Sequence, residues 1–404
     1  MQISAEKTGY QKTSILGLYI FALSIPISFV PAEFAIALIF IGWLLEGIIY
    51  KNWQFQKSVL FIPLAIYLAW NIVSSLSSPR PLHSLWAVAD NEWPMFIMFF
   101  MVNIIDDSQI VKRMAHLWLL TGSAAAVYGI WQTFNGKVFF RTNIPAAIEH
   151  YYRAEGFSGF YLTFAGFMMT VVLVALCLAT QAGWKYRWRY ALAALLSFGA
   201  VLGTFARSIW LSFAVAVPVF GISKGKKIGG RIAAAFIVIV VLTLVFVPAI
   251  RDRAFSIIDP SQNQTRLNLW QTTLHMSHDH LVLGIGEDNF DYYFEAYKVP
   301  GFYDATGHPH NDYLNELVSS GIPGIVLFLS LWVIVLRTGF ATARRSEDPF
   351  LKELALGGSL AIIGFLVGSF FQDYYGTFAN CWGWWFMAGL VMTSHRLSAK
   401  ASPH

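Results

Sequence analysis

The stretch Ala233–Pro248 reads AAAFIVIVVLTLVFVP and carries no charge. A run of this kind is close to the 20 or so apolar residues that cross a bilayer as a helix. Only a helix or a closed barrel satisfies every backbone group out of water. Apolar segments recur near residues 14–31, 33–50, 58–76, 86–105, 112–134, 158–180, 188–206, 208–223, 231–249, 313–336, 353–372 and 381–395. Charged residues make up only 13% of the 404, about half the share of a soluble domain. That excludes an ordinary soluble enzyme, a disordered chain and a disulfide scaffold. Cys177 and Cys381 lie in or beside apolar segments and read as packing residues. The expected fold is an all-α integral membrane protein of about twelve transmembrane helices, one polytopic domain over 1–404.

Lysine and arginine orient the spans. Lys7 and Lys12 precede the run from Ile15 to Val30, and no small-x-small cleavage site follows. The run reads as a retained first span rather than a signal peptide. With the N-terminus inside, nineteen of the 28 Lys and Arg fall on the cytoplasmic side. They include Lys185-x-Arg187-x-Arg189 and Lys224-x-Lys226-Lys227. The outer nine are Arg80, Lys137, Arg141, Arg153, Arg207, Arg251, Arg253, Arg266 and Lys298. The bias follows the positive-inside rule and predicts both termini in the cytoplasm.

One connection is long. Residues 250–312 form an outward loop between spans nine and ten, and a loop of that length in a compact protein is usually functional. Leu267, Trp270, Gln271 and Leu274 fall on one face of a helix over Gln264–Ser277. A second helix is expected over Asn289–Tyr297. Phe290, Tyr292, Tyr293, Phe294, Tyr297, Phe302 and Tyr303 suit a membrane-surface belt.

Outward arginines beside a membrane run against the positive-inside bias. Arg207 sits at the hinge between spans seven and eight, Arg266 leads into the helix with Trp270, and Arg153 precedes span six. Guanidinium forks match phosphate oxygens. Two readings stand side by side: surface arginines on lipid headgroups, or a converging site for a lipid-linked pyrophosphate.

Gly307–Gly324 reads GHPHNDYLNELVSSGIPG. After Pro309 a helix starts near His310 or Asn311, with Asn311 a good N-cap. Gly321 is a natural stop, with Pro323 beyond it. His310 at a helix N-terminus is disfavoured as imidazolium. Neutral, it can accept a proton from a hydroxyl nucleophile. His308 is placed to orient substrate or contact phosphate, and Asp312 or Glu316 to orient the base or cap the helix. The alternative is that both histidines are ordinary loop polars.

Other patterns are weaker. His275, His278, Asp279 and His280 lack a His-Glu-x-x-His arrangement. Gly284-Ile-Gly286 lacks the third glycine of a dinucleotide loop. Asp90 and Glu92 interrupt span four and either line a pathway or mark its outer interface. Glu33 and Asp373 lie at outer span ends.

In these features the chain resembles the O-antigen ligase family, within the wider group of ligases, polymerases and protein O-oligosaccharyltransferases. The family signature, a histidine and a small polar residue, nine residues, then Gly-x-x-Gly, is matched by His310-Asn311, Gly321 and Gly324. The layout of spans, late outer loop and arginines is also similar. The resemblance implies a GT-C-type, inverting, metal-independent glycosyltransferase without a cofactor. Its donor would be a glycan on undecaprenyl pyrophosphate and its acceptor lipid A–core, at the periplasmic face of the bacterial inner membrane. Its partners would be these and membrane lipids, with no nucleic acid. His310 would be the general base. Arg207, Arg266 and Arg153 would bind the pyrophosphate, with His308, Asn311, Asp312 and Trp270 in support. The rivals are an O-antigen polymerase, a protein O-oligosaccharyltransferase and a lipid-linked glycan transporter. A transporter would show matched broken spans in both halves, and no repeat symmetry is visible.

Overall fold

The computed structural model describes residues 7–139, 144–181, 183–303 and 307–401; Arg141 lies outside them. The chain is helical almost throughout. In order come α1 (Gly9–Ser24), α2 (Phe29–Tyr50), α3 (Phe61–Leu76), α4 (Pro81–Glu92), α5 (Phe96–Ile104), α6 (Ser108–Asn135), α7 (Tyr161–Gln181) and α8 (Trp184–Thr204). They are followed by α9 (Arg207–Phe246), α10 (Pro248–Phe255), α11 (Gln264–Asp279), α12 (Phe290–Tyr297), α13 (Asp312–Arg345), α14 (Pro349–Gly368) and α15 (Phe378–Ala401). A two-residue ribbon pairs Ala147–Ile148 with Tyr151–Tyr152.

Each expected apolar segment coincides with helix, and local chemistry explains the joins. Pro94 splits the fourth segment by a 3-10 turn at Trp93–Met95. Gly225, at φ 77°, breaks α9 between the eighth and ninth. Thr8 and Gln11 cap α1 reciprocally, Asp107 caps α6 and Asp348 caps α14. Among the described residues five helices are long and apolar enough to cross a membrane: α2, α7, α9, α13 and α14. The protein is an integral membrane protein. The second half of α9 leaves Ile237, Val241, Leu242 and Val245 exposed, as a lipid-facing helix does.

The core is centred on α7, which packs on α8 and α14, and on α15 behind them. Trp332, Trp384, Trp385 and Phe365 form its aromatic centre, with Phe365 stacked on Trp384 at 4.9 Å. The helix ends sort into two layers. One holds both chain ends: Lys7 pairs with Asp106 at 2.6 Å, Lys112 with Asp348 at 2.9 Å, Lys224 with Glu353, and Arg396 bonds the Ile105 carbonyl. The other holds the segment between α9 and α13, which Arg80 anchors through Asp291 and Asn289.

That segment docks into a gap in α13. Gly321, at φ 71° and ψ −172°, leaves the helical conformation and the helix then resumes. The glycine expected to end the helix therefore only interrupts it, with Pro323 in the first turn of the restart, where its missing N–H costs nothing. The freed backbone groups find partners on both sides. Ile285 and Gly286 donate to the carbonyls of Val318 and Ser319, and Ile322 donates to Leu281, at 2.8, 2.9 and 2.8 Å. From α3, Trp70 Nε1 and the Ser74 hydroxyl reach Ser320 O and Ser319 O, each at 2.8 Å. A Cβ on Gly321 would run into the Val282 carbonyl, and one on Gly284 (φ 71°) into that of Ser319. The Gly284-x-Gly286 pattern lies in a non-helical segment that docks by main-chain bonds.

The helices expected at Gln264–Ser277 and Asn289–Tyr297 are α11 and α12. The face read as apolar on α11 points the other way. Leu269, Thr272, Thr273, Met276 and Ser277 are buried, while Leu267 and Leu274 are exposed. Leu269 and Met276 pack with Phe290, Phe294 and Val318.

Gly321→Ala and Gly284→Ala should each lower the apparent melting temperature of the purified protein. The loss should be at least the roughly 1–2 kcal/mol of a left-handed non-glycine residue. Gly230→Ala, whose Cβ would meet open space, should not lower it. Thermal unfolding in detergent checks all three.

Candidate active site

The start of α13 is tied to the turn between α14 and α15. Asn311 caps the helix by accepting from the N–H groups of Tyr313 and Leu314 at 3.0 and 3.1 Å. Its own amide donates to Phe370 O at 3.0 Å. Asp312 is buried. Its carboxylate accepts from the Ser369 hydroxyl and the N–H groups of Tyr374, Tyr375 and Gly376. Four donors on one carboxylate make it an anchor of the turn.

His310 sits one residue before that cap in a left-handed conformation, φ 51°, which few non-glycine residues adopt. The two anchored residues that follow, Asn311 and Asp312, hold it there. Its ring lies 4.2 Å from that of His308. His308 Nδ1 is 3.3 Å from the His310 N–H and 3.4 Å from Asp373 Oδ2. Both contacts fall on the same ring nitrogen. Trp270 Nε1 donates to Pro309 O at 3.1 Å, which ties α11 to the histidine strand.

The arginines gather next to this strand. Arg207, the first residue of α9, donates to Ser256 O and Oγ at 2.5 and 3.0 Å and to Asn263 Oδ1 at 3.1 Å. Arg207 and Arg266 line a cavity of about 240 Å³ with Ser208, Asn263, Trp270 and Phe371. The Arg153 guanidinium lies over the Tyr161 ring at 4.2 Å, and its Nε is buried without a hydrogen-bond partner among the described residues. A fourth arginine joins them. Among the described residues Arg253 on α10 reaches only the Phe205 carbonyl, at 3.5 Å. Burial first, then the charges of Arg153 and Arg207, push its guanidinium down to about 10, with Arg266 adding to the effect. Among the described residues none of the four forms an ion pair. Mutually repelling cations left unneutralised favour a bound anion.

Arg253 was counted in the sequence only as an outer cation. Its signal was its place one turn into a helix opened by Pro248, on the side of buried Ala249 and Ile250. Arg251, by contrast, pairs with Asp252 in solvent.

Glu92 is buried, not at an interface. It accepts from the Tyr375 hydroxyl at 2.6 Å, and the Tyr67 hydroxyl lies 3.0 Å from Glu92 and 3.2 Å from Glu316. Ser320 donates to Glu316 at 2.5 Å. A phenol has one proton to give, so of the two carboxyls on Tyr67 one must itself donate. The network joins α3, α4 and α13 to the turn that carries Asp373. Glu287 continues it outward, with Asn91 donating to it at 3.0 Å. Burial, and next the Glu316 carboxyl, push Glu287 up to about 8. Of the possible metal ligands, His278 pairs with Asp279 and His280 lies edge-on to Tyr293. Among the described residues no group of three His, Cys, Asp or Glu side chains is arranged to hold a metal.

Residues 192–329 match the O-antigen ligase family model. The matched segment runs from within α8 to the middle of α13. It contains Arg207, Arg253, Arg266, Trp270, His308, His310 and both signature glycines, Gly321 and Gly324. Arg153 and the turn at 369–376 lie outside it and are joined to it by the contacts above. No curated protein sequence matches the chain.

The raised Glu287 carboxyl has a pH signature. Its protonated form is favoured in the folded state, so its support is complete below about pH 4.5 and is lost as pH rises through about 8. Glu287→Gln keeps an acceptor for Asn91 and should flatten the decline in melting temperature across that window. An unchanged decline would assign it to other groups.

Proposed function

We propose that the protein is an O-antigen ligase. It transfers a glycan from undecaprenyl pyrophosphate to a sugar hydroxyl of lipid A–core at the periplasmic face of the bacterial inner membrane. The family match supports a membrane enzyme of glycosyl transfer. The observation that carries the finer reading is the group of four arginines without ion-pair partners, tied through Trp270 to the His310 strand. The clustering of both termini with Lys7, Lys112, Lys224 and Arg396 at the other end supports cytoplasmic termini. On this reading residues 250–312 are the periplasmic loop of a single polytopic domain with twelve spans and GT-C-type architecture.

The chemistry follows from charge. The acceptor oxygen attacks the anomeric carbon on the face opposite the pyrophosphate, so the configuration inverts. As the carbon–oxygen bond to pyrophosphate breaks, negative charge develops on the phosphate oxygens. Arg207, Arg266, Arg153 and Arg253 are fixed positive charges where that charge appears, and preorganised donors of this kind are usually the largest catalytic term. His310 takes the proton of the attacking hydroxyl. His308, Asn311 and Asp312 hold the strand that positions it. Guanidinium groups supply the charge that a divalent ion would otherwise bring, so the reading needs neither metal nor cofactor.

His310→Ala should leave the protein in the membrane, with unchanged melting temperature, and abolish transfer from undecaprenyl-pyrophosphate glycan to rough lipopolysaccharide. Transfer at the wild-type rate would remove His310 as the base. The same assay with a second lipid-linked glycan or a pilin-like peptide as acceptor distinguishes the polymerase and protein-transferase readings.

Arg253→Ala should raise the donor KM or lower kcat/KM by about 10- to 100-fold, the size of one lost charge-assisted hydrogen bond, and leave the acceptor KM in place. A steady-state comparison with Arg251→Ala, which should be near wild type, checks it.

A further inference from the structure

A second built site lies at the other end of the molecule, where α9, α13 and α14 meet. It is a cavity of about 410 Å³. Its polar side chains are Ser223, Lys224, Arg344, Lys352 and Glu353, and Ile222, Phe340 and Leu356 are among its apolar walls. Lys224 and Glu353 pair there, with side chains 8% and 1% exposed. The pair cancels its own charge but not its hydrogen bonding. One Glu353 oxygen serves Lys224 and weakly accepts from Thr180 at 3.4 Å. The other, Oε1, is buried with no donor among the described residues. A buried carboxylate oxygen left unmatched is costly, so the site is short of a donor. Arg344 and Lys352 line the same cavity and form no ion pair among the described residues. The site is therefore also short of an anion.

We propose that this cavity binds the headgroup of phosphatidylethanolamine. The ligand must bring an N–H donor for Glu353 and an anion for Arg344 and Lys352, on an apolar body. A phosphoethanolamine group carries both charges in one unit. Its ammonium supplies the donor for Glu353 Oε1, and its phosphate lies between the guanidinium and the ammonium of Arg344 and Lys352. The acyl chains run along Ile222, Phe340 and Leu356 into the bilayer. Basic pockets between helices at a membrane interface hold lipid headgroups in this way. The carboxylate adds a choice among them. Phosphatidylcholine has no N–H to donate, and phosphatidylglycerol brings a hydroxyl but no cation.

The experiment measures retention of defined lipids by the full-length protein with native mass spectrometry, and its thermal shift in mixed micelles. The lipids are phosphatidylethanolamine, phosphatidylcholine and phosphatidylglycerol, and soluble phosphoethanolamine is the fourth arm. Phosphatidylethanolamine should be retained about tenfold better than phosphatidylcholine, in keeping with one charge-assisted hydrogen bond. Arg344→Ala/Lys352→Ala should lose that retention, and Glu353→Gln should lose the preference over phosphatidylcholine. Because Glu353→Gln also leaves Lys224 buried without its partner, the double variant stands as the independent test. Equal retention of the three lipids, a preference for phosphatidylglycerol, or retention unchanged in the double variant overturns the proposal. So does soluble phosphoethanolamine binding as tightly as the lipid, because the apolar walls would then contribute nothing.

Discussion

A helix broken inside an apolar core must hand its freed backbone groups to some other partner, because no water is at hand. In α13 that requirement organises the outer half of the molecule. The gap at Gly321 is closed from one side by α3, through Trp70 and Ser74, and from the other by the segment at 281–286. The segment between α9 and α13 is therefore bonded to the membrane helices at its middle, and Arg80 holds it again at Asp288, Asn289 and Asp291. The helix α11, which carries Arg266 and Trp270, lies between these attachments and the histidine strand. Its position is set by main-chain bonds, a firmer support than aromatic contact with a bilayer surface.

The same economy places the histidines. Asp312 bonds four groups in the turn after α14, and Asn311 bonds both its own helix and that turn. Two anchored residues in succession allow His310 to keep a left-handed conformation that would otherwise relax. Backbone strain persists only where the surroundings over-determine it. Below this, the Glu92–Tyr67–Glu316 network ties the turn to α3 and α4. A polar cluster in an apolar core rigidifies what it joins only when its protons are fully shared.

Much of the architecture was legible in the sequence, because apolar run length and Lys/Arg bias are one-dimensional signals. The twelve segments, the Asn311 cap and the helices α11 and α12 could be read that way. What failed has a common cause. The pattern on α11 shows that the helix has two faces but not which one meets protein. Leu267 and Leu274 are as apolar as Leu269 and Met276, and only the partners Phe290, Phe294 and Val318 decide. Glu92 could be read only as lining a pathway or marking the outer interface, because its partners Tyr67, Glu316 and Tyr375 are not neighbours in the chain. Gly321 and Pro323 formed a convincing helix end, and the continuation depends on a segment about forty residues earlier. Asp312 was read as a cap or orienter of the base, and it is an anchor for a turn more than fifty residues on.

The cations divide by their partners rather than by their number. At the end that holds both termini, Lys7, Lys112 and Lys224 each have a carboxylate in reach. Their charge is spent within the protein, which suits residues that set orientation during insertion. On the opposite side Arg153, Arg207 and Arg253 have carbonyls, a hydroxyl, an amide oxygen and an aromatic ring, Arg266 lines the same cavity as Arg207, and none of the four has a carboxylate partner among the described residues. A carboxylate among them would relieve their repulsion and abolish the field that an incoming phosphate would feel. Leaving that repulsion in place costs stability in the empty protein. On the proposed function, a bound anion would offset that cost.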